Sequence, residues 1–126
     1  MSRRNKIIYW IATIWLGFGM AFTGVIQIIR TPEEIALMQQ LGYPIYFLTV
    51  IGIWKVLGVV AILVPGFPLL KEWTYAGFFF AMSGAIFSHI ASGSPVVDMI
   101  GPMLLIVLTV TSWSFRPAER KVVLTT

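Results

Sequence analysis

Cysteine is absent from the 126-residue chain. Its absence excludes disulfides, thiolate metal sites, iron–sulfur ligation and dithiol electron transfer. Histidine occurs once, at His89, so a metal centre built from imidazoles has no second donor in this chain. Charge is scarce too. Only 11% of residues are charged, where a soluble domain carries about a quarter, and 58% are apolar. With a mean hydropathy of +0.88, the chain lacks the polar surface to cover itself in water. It reads as one transmembrane domain over residues 1–126. The net charge is +4, but the basic residues stand at the ends of apolar runs, with no aromatic-basic patch between them. That is the placement of topology determinants, and it argues against a nucleic-acid partner.

Four apolar runs are long enough to span a bilayer, over residues 7–29, 45–64, 73–91 and 97–115. The first follows Arg3, Arg4 and Lys6, as the core of a signal peptide would. It outruns the usual core of about 7–15 residues and ends in QIIR with no small-residue cleavage site, so it is read as a retained helix. Between the first two runs lies RTPEEIALMQQLG. Thr31 suits an N-cap, Pro32 the first helical position, Glu33 and Glu34 the first turn, and Gly42 the stop. This predicts a short amphipathic helix in the first outer loop, lying at the membrane interface, with an ordered loop as the alternative. The links PGFPLLKEW and SGSP are tight, so successive spans should be antiparallel.

The expected fold is therefore an all-α integral membrane four-helix bundle. Arg3, Arg4, Lys6, Lys71, Arg116, Arg120 and Lys121 fall at one end; Arg30, Glu33 and Glu34 fall at the other. The positive-inside rule places both termini in the cytoplasm, in a bacterial-type inner membrane. Small residues set the faces that meet: Gly17, Ala21 and Gly24 on the first span, Gly52 and Gly58 on the second, and Gly77, Ala81, Gly84, Ala85 and Ser88 on the third.

Four residues are candidates for a site. Lys55 lies about 15 Å into the second span, near the midplane, where a lysine costs roughly 2.5–3.5 kcal/mol. The apolar parts of the first and third spans hold no carboxylate to neutralise it. It either satisfies itself on carbonyls and hydroxyls, or holds an anionic or carbonyl-bearing ligand. His89 sits about one turn from the outer boundary. The short loop brings Asp98 to the same depth, and a His–Asp pair can move protons near neutral pH. Trp54 stands beside Lys55, where it packs on lipid or walls a flat aromatic ligand.

The stretch from Trp54 to Gly93 resembles the DoxX-like family of small four-helix membrane proteins, through KVLGVVAILVP (residues 55–65) and LKEWTYAGFFFAMSGAIFSH (residues 70–89). The resemblance implies an integral membrane bundle. Relatives are linked to thiosulfate–quinone oxidoreductase, to other redox complexes, or to assembly of membrane proteins, and Lys55 and His89 match the polar points of the family pattern. Two functions are expected. One is an accessory subunit or a quinone or lipid-like ligand binder of a membrane redox system, with Lys55 on the ligand and His89 and Asp98 managing protons. The other is a non-catalytic interaction or assembly factor, with a protein partner or a second copy of the chain. No self-sufficient catalytic motif is present. A small cation exporter ranks below both, because its first helix would need an embedded carboxylate.

Overall fold

In the computed structural model, which describes residues 2–121, five α-helices follow one another. They are α1 (Arg3–Ile29), α2 (Pro32–Leu41), α3 (Tyr46–Leu63), α4 (Pro68–Ala91) and α5 (Ile100–Ser114). Short 3-10 turns, Val96–Met99 and Ala118–Arg120, flank α5. Helices α1, α3 and α4, and the segment Val96–Ser114, are long and apolar enough to cross a membrane. Lipid is the solvent their outer faces fit. Phe18, Phe80 and Phe87 are each about 70% exposed, which a water-soluble surface would not sustain over such an area.

Local chemistry sets the ends. Ser2 caps α1 by accepting from the Asn5 amide. That starts the helix at Arg3, so the basic residues ride its first turn. Thr31 caps α2 by accepting from the Glu34 amide, with Pro32 following; Gly42, at φ 82°, ends it in the left-handed region where no Cβ intrudes. Helix α4 begins at Pro68, five residues before the boundary expected from hydropathy. Proline presets φ for the first helical turn, and Lys71 and Glu72 find partners there despite their charge. The fourth span likewise opens as a 3-10 turn, and its α-helical part starts only at Ile100.

Helix α1 packs on α3 and α5, and α4 packs on the same two, so the four spans close a ring. Three of them turn a line of residues at alternating four- and three-residue spacing inward. The lines are Leu16, Met20, Thr23 and Gln27 on α1, Leu48, Gly52, Lys55, Val59 and Ile62 on α3, and Lys71, Tyr75, Phe78, Met82, Ala85 and His89 on α4. Leu16, Met20, Val59, Ile62, Phe78, Met82 and Leu108 make the apolar centre. In lipid this centre is held by close packing, since moving an apolar side chain from lipid to protein gains little from dehydration.

The α1–α3 seam is the tightest. A Cβ on Gly52 would stand 2.6 Å from the Gly24 carbonyl oxygen, and one on Gly24 would stand 3.0 Å from that of Gly52. Gly58 fits the Phe78 ring in the same way, at 2.7 Å. The small stripe expected to pack on α4 is a correction. Gly77 and Gly84 are exposed, and a Cβ on either meets nothing within 4 Å. Ala81, Ala85 and Ser88 of that stripe do turn inward, but they share the inner face with the large residues Phe78 and Met82, and Phe78 packs on Gly58 of α3.

Candidate functional site

Polar groups inside the ring form three layers. At the end that gathers the start of α1, the α3–α4 hairpin and the end of α5, two buried cations cap α3. Pro65 and Gly66 stop that helix and leave its last carbonyls without amide partners. Lys71, 1% exposed, donates through Nζ to the carbonyls of Ala61 at 2.9 Å, Gly66 at 2.7 Å and Val64. Arg120 donates to Ile62 O at 2.7 Å and Leu63 O at 3.2 Å, and its guanidinium lies over Trp10. By position in the sequence both are topology determinants; the structure also turns them inward as helix caps, where a positive group meets the negative end of the α3 dipole. Outside them, Arg116 pairs with Glu72 at 2.9 Å, and Trp113 donates to Glu72.

One layer deeper, Ser112 on α5 bonds Thr13 on α1 at 2.6 Å and Tyr75 on α4 at 2.7 Å. Tyr9, fully buried, adds a hydroxyl with no partner. This cluster ties three helices together, and the apolar centre separates it from the opposite end.

That opposite end holds the candidate site. The buried Lys55 amine donates to Thr23 Oγ1 at 3.3 Å. Thr23 returns its own hydroxyl to the Gly19 and Met20 carbonyls. Gln27, one turn above Thr23 on the inward line of α1, has a buried amide oxygen with no partner. Glu34 on α2 supplies a carboxylate at this same end. Glu34 and Lys55 do not form a direct ion pair, and Glu34 Oε2 is buried and unpartnered.

Helix α2 lies across this end. It starts beside the end of α1, turns Met38 into the protein, and reaches α4, where Gln40 donates to Ser94 at 3.1 Å and Tyr43 bonds Ser88 at 2.6 Å. His89, 5% exposed, sits under that attachment with Nδ1 unpartnered. This end of the bundle therefore gathers one cation, one carboxylate, an amide and an imidazole, three of them with buried hydrogen-bonding atoms that have no partner. Such groups can hold a head that both accepts from an amine and donates to carboxylate and amide oxygens.

Of the residues singled out from sequence, Lys55 and His89 face this interior. Asp98 is exposed on the 3-10 turn after α4, and no hydrogen bond or ion pair among the described residues joins it to His89. Trp54 is 64% exposed and points away from the ring. Glu34 and Gln27 were missed. Glu34 read as an N-terminal capping acid, and only the fold of α2 over the bundle buries its carboxylate. Gln27 had a usable signal, since it extends the spacing of Leu16, Met20 and Thr23.

The model of the DoxX-like family matches residues 11–112, a stretch that contains α2, α3 and α4 whole together with Lys55, Glu34 and His89. No curated protein and no solved structure matches the chain significantly. With four membrane-length apolar helices and a match over most of its length, the chain belongs to the DoxX-like family of membrane proteins.

Proposed function

We propose that this multi-pass membrane protein is an accessory, ligand-binding subunit of a membrane redox system, and that it takes the head of a quinone-type molecule into the end of the bundle beneath α2. The observation that carries this is the buried Lys55 amine, which lies in the same half of the bundle as the partnerless atoms of Gln27, Glu34 and His89. Buried polar atoms without partners are costly, and intramembrane ionisable groups mark ligand or proton sites. Lys55 meets a ligand carbonyl or hydroxyl oxygen, while Gln27 and Glu34 accept from ligand hydroxyls. His89, beneath the α2 attachment, exchanges protons with the outside. The positive-inside rule puts the basic end in the cytoplasm of a bacterial-type cell, and the proposed site toward the outer face. Electrons pass to or from a partner protein.

The test compares wild type with Lys55→Met, each purified in mild detergent, by mass spectrometry of extracted small molecules. A quinone-type or other lipid-like molecule held by wild type and lost from an equally stable mutant supports the proposal. Two equally empty and equally stable proteins refute it. The second reading, a non-catalytic assembly or interaction factor, has its own support in the open strip at Gly77 and Gly84, where a partner helix can approach closely. Under that reading Gly84→Leu loses a co-purifying membrane partner while Lys55→Met keeps it.

A further inference from the structure

A second binding surface lies at the basic end, on the outer face of α1. A cavity of about 420 Å³ is lined by Arg3, Lys6, Ile7, Trp10, Ile11 and Ile14. We propose that it is a site for an anionic phospholipid, with the phosphate held by Arg3 and Lys6 and the first acyl chain lying along the isoleucines.

Three observations fit that ligand. The two cations are exposed and three residues apart, so they stand on one face, and no acidic residue lines the cavity or sits in the first turn of α1. A zwitterionic head would bring an ammonium group into an all-positive rim, whereas a net-negative head meets only favourable charge. Below the rim, Ile7, Ile11 and Ile14 follow at four- and three-residue spacing, each 50–62% exposed. They form an apolar wall at the depth of the hydrocarbon, which a soluble anion would not use. The Trp10 ring closes one side, and the Arg120 guanidinium, anchored on Ile62 O, holds it from behind at 4.9 Å. A tryptophan at this level suits the head-group boundary.

The experiment uses the full chain in detergent with equimolar phosphatidylglycerol and phosphatidylcholine of identical acyl chains, read by native mass spectrometry. One phosphatidylglycerol should bind in preference to phosphatidylcholine by about tenfold, given that each basic contact favours the anionic head several-fold. The double variant Arg3→Gln/Lys6→Gln should abolish the preference. Arg4→Gln removes one charge from the same turn without touching the cavity, and should retain it. All three residues are exposed, so circular dichroism should show unchanged helix content. Equal binding of both lipids overturns the proposal, as does equal loss in Arg4→Gln, which would mean unspecific surface charge. Displacement of the lipid by millimolar inorganic phosphate would identify a soluble-anion site, and overturns it too.

Discussion

Lys55 reaches Thr23 across the α1–α3 seam, at 3.3 Å from Nζ to Oγ1, and it does so one turn from the place where two glycines bring the helix backbones together. Gly24 and Gly52 leave no room between α1 and α3 for a side chain, so the amine and its acceptor are held at a fixed separation. The Lys55 stem lies directly against Gly24 in that contact, so packing of the seam sets where the lysine leaves the backbone.

Substitution at the seam should therefore separate packing from surface effects. Gly52→Ala places a Cβ 2.6 Å from the Gly24 oxygen, against rigid backbone, and should destabilise the protein by about 1–3 kcal/mol, the range for overpacking. Gly77→Ala and Gly84→Ala meet open space. They should be neutral or slightly stabilising, through helix propensity worth at most about 1 kcal/mol each. Thermal unfolding of the three variants in one detergent checks the contrast.

The proposed ligand has a chemical signature. Gln27 and Glu34 offer acceptor atoms without donors, which hydroxyls satisfy and a pair of carbonyls does not. A short-chain benzoquinone in its reduced, dihydroxy form should bind more tightly than its oxidised form, by about tenfold, since a buried acceptor left unmatched is costly. Replacing Gln27 and Glu34 by leucine should erase that difference while leaving the weaker, Lys55-dependent binding of the oxidised form. Tryptophan fluorescence titration under anaerobic conditions reads both affinities. Equal affinities in wild type would count against the hydroxyl contacts, and absence of any binding against the proposed quinone site.

Much of the fold was legible because membrane helices announce themselves by length and apolar composition. The second span was placed to within a residue, and the α2 helix followed from Thr31, Pro32 and Gly42. Hydropathy failed at Lys71: a charged residue reads as a boundary, yet this one is inside, satisfied by the carbonyls that Pro65 strands at the end of α3. It failed again on α4, where small residues looked like the whole packing face but share it with Phe78 and Met82. The site was half legible. Lys55 stands out in any apolar run, and His89 is unique, but the burial of the Glu34 carboxylate at this end of the bundle follows only from the tertiary fold of α2. Asp98 shared a depth with His89 by counting, and loop geometry turned it outward.

The Ser112 cluster offers a graded test of interhelical hydrogen bonding. Ser112→Ala removes the common partner of Thr13 and Tyr75 and strands two hydroxyls at once. It should cost about 1–2 kcal/mol, near the upper end for such bonds in membranes. Tyr75→Phe removes one hydroxyl and leaves Ser112 bonded to Thr13, so its cost should be under about 1 kcal/mol. Reversible unfolding in mixed micelles measures both, and the reverse order would show that Ser112 is not the hub.

Lys71 is the strictest case, because its role differs from what its position in the sequence suggests. If it served only as a topology charge with no buried partner, Lys71→Gln would leave stability nearly unchanged, since charges held at the surface contribute about 0–1 kcal/mol. The structure instead has its ammonium group on the carbonyls of Ala61, Val64 and Gly66. Lys71→Met keeps the length of the buried stem and removes every donor, leaving up to three carbonyls to find other partners. At about 1–3 kcal/mol for an unsatisfied buried group, it should cost about 3 kcal/mol, since Arg120 already occupies Ile62 and Leu63. Hydrogen exchange should localise the damage, with amides in the last turn of α3 and the first turn of α4 losing protection while those near Lys55 keep it. A Lys71→Met protein as stable as wild type would mean that water or the lipid head groups take over the cap.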